Sequence, residues 1–90
     1  MFRLWGKLWF ENRLIKDTTY LDESQRTRTQ MIFRGLDEIC VAFDLSSPIW
    51  LDTNIKELKK HARARFYQDS FIETIDFDFL EIQIIEEAEQ

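Results

Sequence analysis

Only three of the ninety residues, Gly6, Gly35 and Pro48, belong to the types that interrupt regular secondary structure. Such a chain has little room for long loops or disorder and must run mostly as strands and helices. Hydrophobic residues make up 44% and aromatics 14%, eight of them Phe, which is ample for a core. Ninety residues reads as one domain, 1–90, with a radius of gyration of roughly 12 Å. A domain of that size buries only about 60–65% of the surface of its unfolded chain, which leaves a thin stability margin.

The opening stretch admits two periodicities. As a strand, Phe2, Leu4, Gly6, Leu8 and Phe10 share one face and Arg3, Trp5, Lys7 and Trp9 the other; as a helix, Met1, Leu4, Trp5, Leu8 and Trp9 form a stripe. Phe2 and Phe10 fit only the strand, and Glu11-Asn12 makes a turn into the β-rich run Leu14–Leu21, which predicts a hairpin. Asp22-Glu23-Ser24, with Gln25, predicts a helix from about 24 to 44 on the stripe Ile32, Leu36, Ile39, Cys40 and Phe43. Gly35 inside it costs about 1 kcal/mol against Ala and points to close packing on a sheet. Pro48 ends that helix.

Farther on, Ile49-Trp50-Leu51 predicts a short strand. Asn54 with Glu57 predicts the cap of a second helix, burying Ile55, Leu58, Ala62 and Phe66. Ser70 with Glu73 suggests one further turn. Ile75 to Ile85 predicts a last strand whose apolar phase shifts between Phe79 and Leu80, as a bulge or a strand covered on both faces would require. The expected fold is α+β in the order β-β-α-β-α-β, a mixed sheet covered by two helices, with 86–90 a frayed acidic tail.

Charge is segregated within a net −5. Eight acids and no base follow position 68, whereas the first 68 residues hold all twelve Lys and Arg against nine acids, a net +3. An acidic chain is a poor general binder of polyanions, though a segregated one can still present a basic patch. Cys40 is the sole cysteine, so an intrachain disulfide and a thiol-rich metal site are both excluded. A lone thiol fits a reducing, cytoplasmic setting. The opening residues have no signal-peptide pattern, and no apolar run approaches the ~20 residues of a membrane span.

Candidate chemistry is sparse. His61, the only histidine, sits among Lys59, Lys60 and Arg63 with no orienting carboxylate or nucleophile in view. Cys40 lies on an apolar stripe, where a thiol acts as a small hydrophobe. Asp76 and Asp78 would share one strand face, suited to a hard cation or to acid–base work, but alternating acids are also the ordinary solvent face of a strand. Lys56, Lys59, Lys60, Arg63 and Arg65 concentrate positive charge on a predicted helix and could hold phosphates, or could offset the acidic last strand. Trp5 and Trp9 interleave with Arg3 and Lys7, a pattern shared by base-stacking platforms, protein hot spots and Trp rings covered by cationic stems. With no nucleophile–base–orienter set and no phosphate-loop or zinc motif, no enzymatic activity, cofactor or metal is expected.

Met1-Phe2-Arg3-Leu4-Trp5-Gly6-Lys7-Leu8-Trp9 with Asn12–Thr18, and the closing Asp69–Asp78, resemble small uncharacterised bacterial proteins of about this length. The resemblance implies a bacterial or mobile-element origin and assigns no residue a role. The expected function is a non-catalytic protein–protein interaction module, self-associating as a homodimer that buries Trp5 or Trp9. The alternative is a nucleic-acid-binding accessory protein using the basic helix around 56–65.

Overall fold

In the computed structural model, which describes residues 1–87, the alternating N-terminal stretch runs as strand β1 (Phe2–Phe10) and returns as β2 (Arg13–Asp22). Glu11 and Asn12, the two connecting residues, both have positive φ (49° and 64°), the geometry of a tight turn whose twist matches the strands it joins. The predicted hairpin is therefore present. Helix α1 (Arg28–Ala42) follows, and α2 (Asp52–His61) comes directly after it. Strand β3 (Arg63–Phe66), a turn of 3-10 helix at Gln68–Ser70 and strand β4 (Phe79–Glu86) complete the described chain.

This corrects the expected order: it is β-β-α-α-β-β, and the sheet β2-β1-β4-β3 is antiparallel throughout rather than mixed. Ile49–Leu51 forms no strand. The Ile49 N–H donates to the Ser70 carbonyl (2.7 Å), and Leu51 precedes α2, its N–H donating to the Asn54 side chain (2.9 Å). The strand pairing with β4 is instead Arg63–Phe66, which the sequence had assigned to the end of a helix. The helix stops because Ala62 turns left-handed (φ 57°), and Asn54 Nδ2 then donates to the Arg65 carbonyl (2.7 Å), tying α2 to the strand that follows it.

Other bounds move for equally local reasons. Helix α1 starts later than predicted because Asp22 ends β2, its carboxylate accepting the Ser24 N–H (2.8 Å). The capping box is formed by Thr27 and Gln30, whose side chains each accept from the other's backbone N–H. The last strand begins at Phe79 rather than Ile75. Phe77 is buried in the preceding loop, edge-on to Phe71 (centroids 5.7 Å apart), so the apolar phase shift marks the strand's start rather than a bulge. Of the expected tail, Glu86 belongs to β4; residues 88–90 lie outside the described part.

The inner face of the sheet presents Phe2, Leu4, Leu8, Ala64, Phe66, Leu80, Ile82 and Ile84 to Ile32, Leu36, Ile39 and Cys40 of α1 and Leu58 of α2. Two glycines let α1 approach. A Cβ on Gly6 would lie 2.9 Å from Ile39 Cδ1, and one on Gly35 2.8 Å from both Leu4 Cδ2 and Tyr20 Cδ2. The radius of gyration is 12.6 Å. Both helices share this side, so among the described residues the opposite face of the sheet carries no helix.

Candidate interaction face of the sheet

Strand alternation sends every second residue of β1 outward, and the antiparallel registers align these residues into rows across the four strands. At one end Leu14, Trp9 and Phe79 lie side by side, with Tyr67 against Phe79 (5.3 Å between centroids). Next come Asp17, Lys7, Glu81 and Arg65, alternating in charge, and then Thr19, Trp5, Gln83 and Arg63. Leu21, Arg3 and Glu86 form the last row. Trp9 stacks on Phe79 at 6.3 Å and 28°. Arg65 lies over the Phe79 ring at 4.8 Å, and Lys7 Nζ over Trp5 at 4.0 Å.

Glu81 organises the face. Although it points away from the core, it is only 2% exposed, because longer neighbours close over it. Its Oε1 accepts from Lys7 Nζ (3.1 Å) and Trp9 Nε1 (3.3 Å), and its Oε2 from Arg65 Nε (2.9 Å). Burial by itself would push this carboxyl up; the hydrogen bonds from Arg65 and Lys7, with their two charges, outweigh it and hold the group below the usual glutamate range. The same bond raises the Arg65 pKa. Lys7 also donates to Gln83 Oε1 (2.9 Å), and Trp5 Nε1 donates to Asp17 Oδ2 (3.0 Å). Both indole N–H groups are thus satisfied within the face, and the rings are held in place.

The structure separates the residues that the sequence grouped. Trp5 and Trp9 are half-buried on the helix-free face. Lys56, Lys59 and Lys60 are exposed on α2, on the other side of the molecule, while Arg63 and Arg65 lie on β3 and face outward with the indoles. The five cations form no single helical patch, because the chain changes from helix to strand at Ala62. Asp76 and Asp78 lie before β4 rather than along a strand; Asp78 Oδ2 accepts the Glu11 N–H (2.8 Å) and helps close the hairpin turn. His61 is exposed at the end of α2. Cys40 is fully buried, and burial, reinforced by Asp37, pushes its thiol up to about 12, which leaves it protonated and inert.

Glu81, Phe79 and Tyr67 were missed as members of this face. The one available signal was the adjacency of Phe79 and Leu80, which gives β4 an apolar group on each side. Segregated charge also resolves within one chain: Arg3 pairs with Glu86, Arg28 with Glu87 (2.9 Å), and Lys7 and Arg65 with Glu81. Among the described residues no group of three or more His, Cys, Asp or Glu is placed to hold a metal ion. Among the described residues no helix is long and apolar enough to cross a membrane. The chain matches no family model, no curated protein and no solved structure, so the chemistry of this face alone carries the functional reading.

Proposed function

We propose that the chain is a non-catalytic interaction module that pairs with a second copy of itself through the helix-free face of its sheet, covering Trp5 and Trp9. The observation that carries this reading is an apolar, aromatic face whose charges, Arg63 apart, are already bonded within it. Leu14, Leu21 and Tyr67 remain between 42% and 52% exposed, while Arg3, Lys7, Arg65, Asp17 and Glu81 all bond within the face. Half-buried Trp and Tyr beside Arg is the composition of interface hot spots.

The row pattern favours a second copy over an unrelated partner. A two-fold axis along the strands, between β1 and β4, reverses each row onto itself. Asp17 of one copy then faces Arg65 of the other, Lys7 faces Glu81, Trp9 faces Phe79 and Leu14 faces Tyr67. The apolar end row and the outer charges Asp17 and Arg65 match, as an isologous interface requires, while Lys7 and Glu81 stay bonded within their own copy and Trp5 faces Gln83. Nucleic-acid binding through Lys56, Lys59, Lys60, Arg63 and Arg65 has less support, because these residues lie on two sides of the molecule and Arg65 is already held by Glu81.

Light scattering across a concentration series tests the proposal. The expected result is twice the monomer mass at high micromolar concentration, reverting to monomer in Leu14→Lys and Tyr67→Lys, whose exposed side chains leave the fold intact. A strict monomer, or a dimer indifferent to both substitutions, would sink it.

A further inference from the structure

The helix side carries a second unfilled feature, independent of the sheet face. Between α1 and α2 lies an open groove of about 190 Å3, walled by Ile32, Phe33, Trp50, Ile55 and Leu58. Trp50 stands edge-on to both Phe33 (5.4 Å) and the buried Phe66 (5.0 Å), which fixes the wall between them. Phe33 and Ile55 are nonetheless 49% and 41% exposed, so apolar surface remains open to solvent there. The charged side chains that line the groove are both cations, Arg28 and Lys59, and among the described residues no carboxylate lines it. Lys56 and Lys60 extend the positive charge along α2, and among the described residues Lys56, Lys59 and Lys60 form no salt bridge. Arg28 already seats a carboxylate, that of Glu87, at 2.9 Å.

We infer that this groove docks an acidic peptide segment that presents one large apolar side chain. The volume decides between a side chain and a whole small-molecule ligand, since pockets for the latter run to about 300–1,000 Å3. The apolar side chain enters between Phe33 and Ile55 and gains from leaving water, while flanking carboxylates meet Lys59 and compete with Glu87 for Arg28. A cationic peptide would set like charges against the rim.

Fluorescence anisotropy on the whole chain tests this with three probes: a short labelled peptide with phenylalanine flanked by aspartates, its lysine-flanked counterpart, and unlabelled phenylacetate as competitor. The acidic peptide is expected to bind, more weakly at high salt, and the lysine-flanked one roughly tenfold or more weaker. Lys59→Glu should weaken binding by roughly tenfold, and Phe33→Ala should weaken it as well. Glu87→Gln, which frees Arg28, should strengthen it by roughly two- to fivefold. Absence of binding, equal binding of both peptides, or indifference to Lys59→Glu overturns the inference. Phenylacetate competing as tightly as the peptide overturns it in favour of a small aromatic acid.

Discussion

Glu81 shows how far one side chain can set a surface. Its carboxylate faces three donors and almost no water, so removing it strands Lys7, itself only 8% exposed, without its counter-charge. Glu81→Ala is expected to cost about 3 kcal/mol in urea unfolding, at the lower end for a broken buried pair because Arg65 can swing into solvent. Lys7→Met combined with Glu81→Leu should recover most of that loss, since apolar groups of similar size need no partner; a double variant as unstable as the single would refute this account. Asp22 offers a pH readout. Bonds from Ser24 and Tyr20, together with Arg26, hold its carboxyl down to about 2 from 3.8. A group depressed in the folded state stabilises fully above its unfolded pKa and loses that contribution as pH falls through the folded one. Stability should therefore drop between about pH 4 and pH 2, and Asp22→Asn should flatten that part of a stability–pH curve. A wild-type curve no steeper than the variant's would contradict the assignment.

At the scale of elements, the contact between α1 and the β-hairpin is made by two absences of a side chain, at Gly6 and Gly35. For Gly35→Ala two effects oppose each other. Helix propensity favours Ala by about 1 kcal/mol, whereas overpacking a filled core typically costs about 1–3 kcal/mol. The new Cβ would meet the fully buried Leu4 and the ring of Tyr20 at 2.8 Å, and a ring and a caged leucine can give little. Overpacking should win, with a net loss of about 1 kcal/mol in denaturant unfolding; a stabilised variant would show that α1 can lift away. This contact was readable in advance, because a glycine in the middle of an otherwise regular amphipathic helix needs a packing reason. The stripe Ile32, Leu36, Ile39, Cys40 and Phe43 is buried throughout. Strand β3 was not readable. Its four residues, Arg63 to Phe66, continue a helical pattern with basic side chains, and they become a strand only because β4 offers an open edge.

For the whole molecule, the proposed dimer ties stability to concentration. A face-to-face pair forms only from folded chains, so the melting temperature should rise with protein concentration, and the rise should vanish in Leu14→Lys. A concentration-independent melting temperature would count against pairing even if scattering were ambiguous. Charge bears on the same question. The split between a basic first part and an acidic last part suggests that one chain can complement another. The fold instead brings Glu81, Glu86 and Glu87 onto Lys7, Arg65, Arg3 and Arg28 within one chain, because β4 inserts between β1 and β3 and its end reaches the start of α1. What remains for a partner is an apolar face whose charges, Arg63 apart, already bond within it.

The amino-acid sequence by itself determined the hairpin, the buried stripe of α1 and the glycine contact, since each is written in local periodicity or in a residue whose backbone or size admits one use. The same alternation assigned Trp5 and Trp9 to the face of β1 opposite Phe2, Leu4 and Leu8. Only the tertiary structure decided that Ile49–Leu51 is loop and Arg63–Phe66 strand, because a short segment becomes a strand when a neighbour with free backbone groups lies beside it. It also decided that Glu81 is buried on an outward face, by closing the stems of Lys7 and Arg65 and the ring of Trp9 over it. Burial there depends on cross-strand neighbours up to 74 positions away in the chain, and no local pattern encodes them.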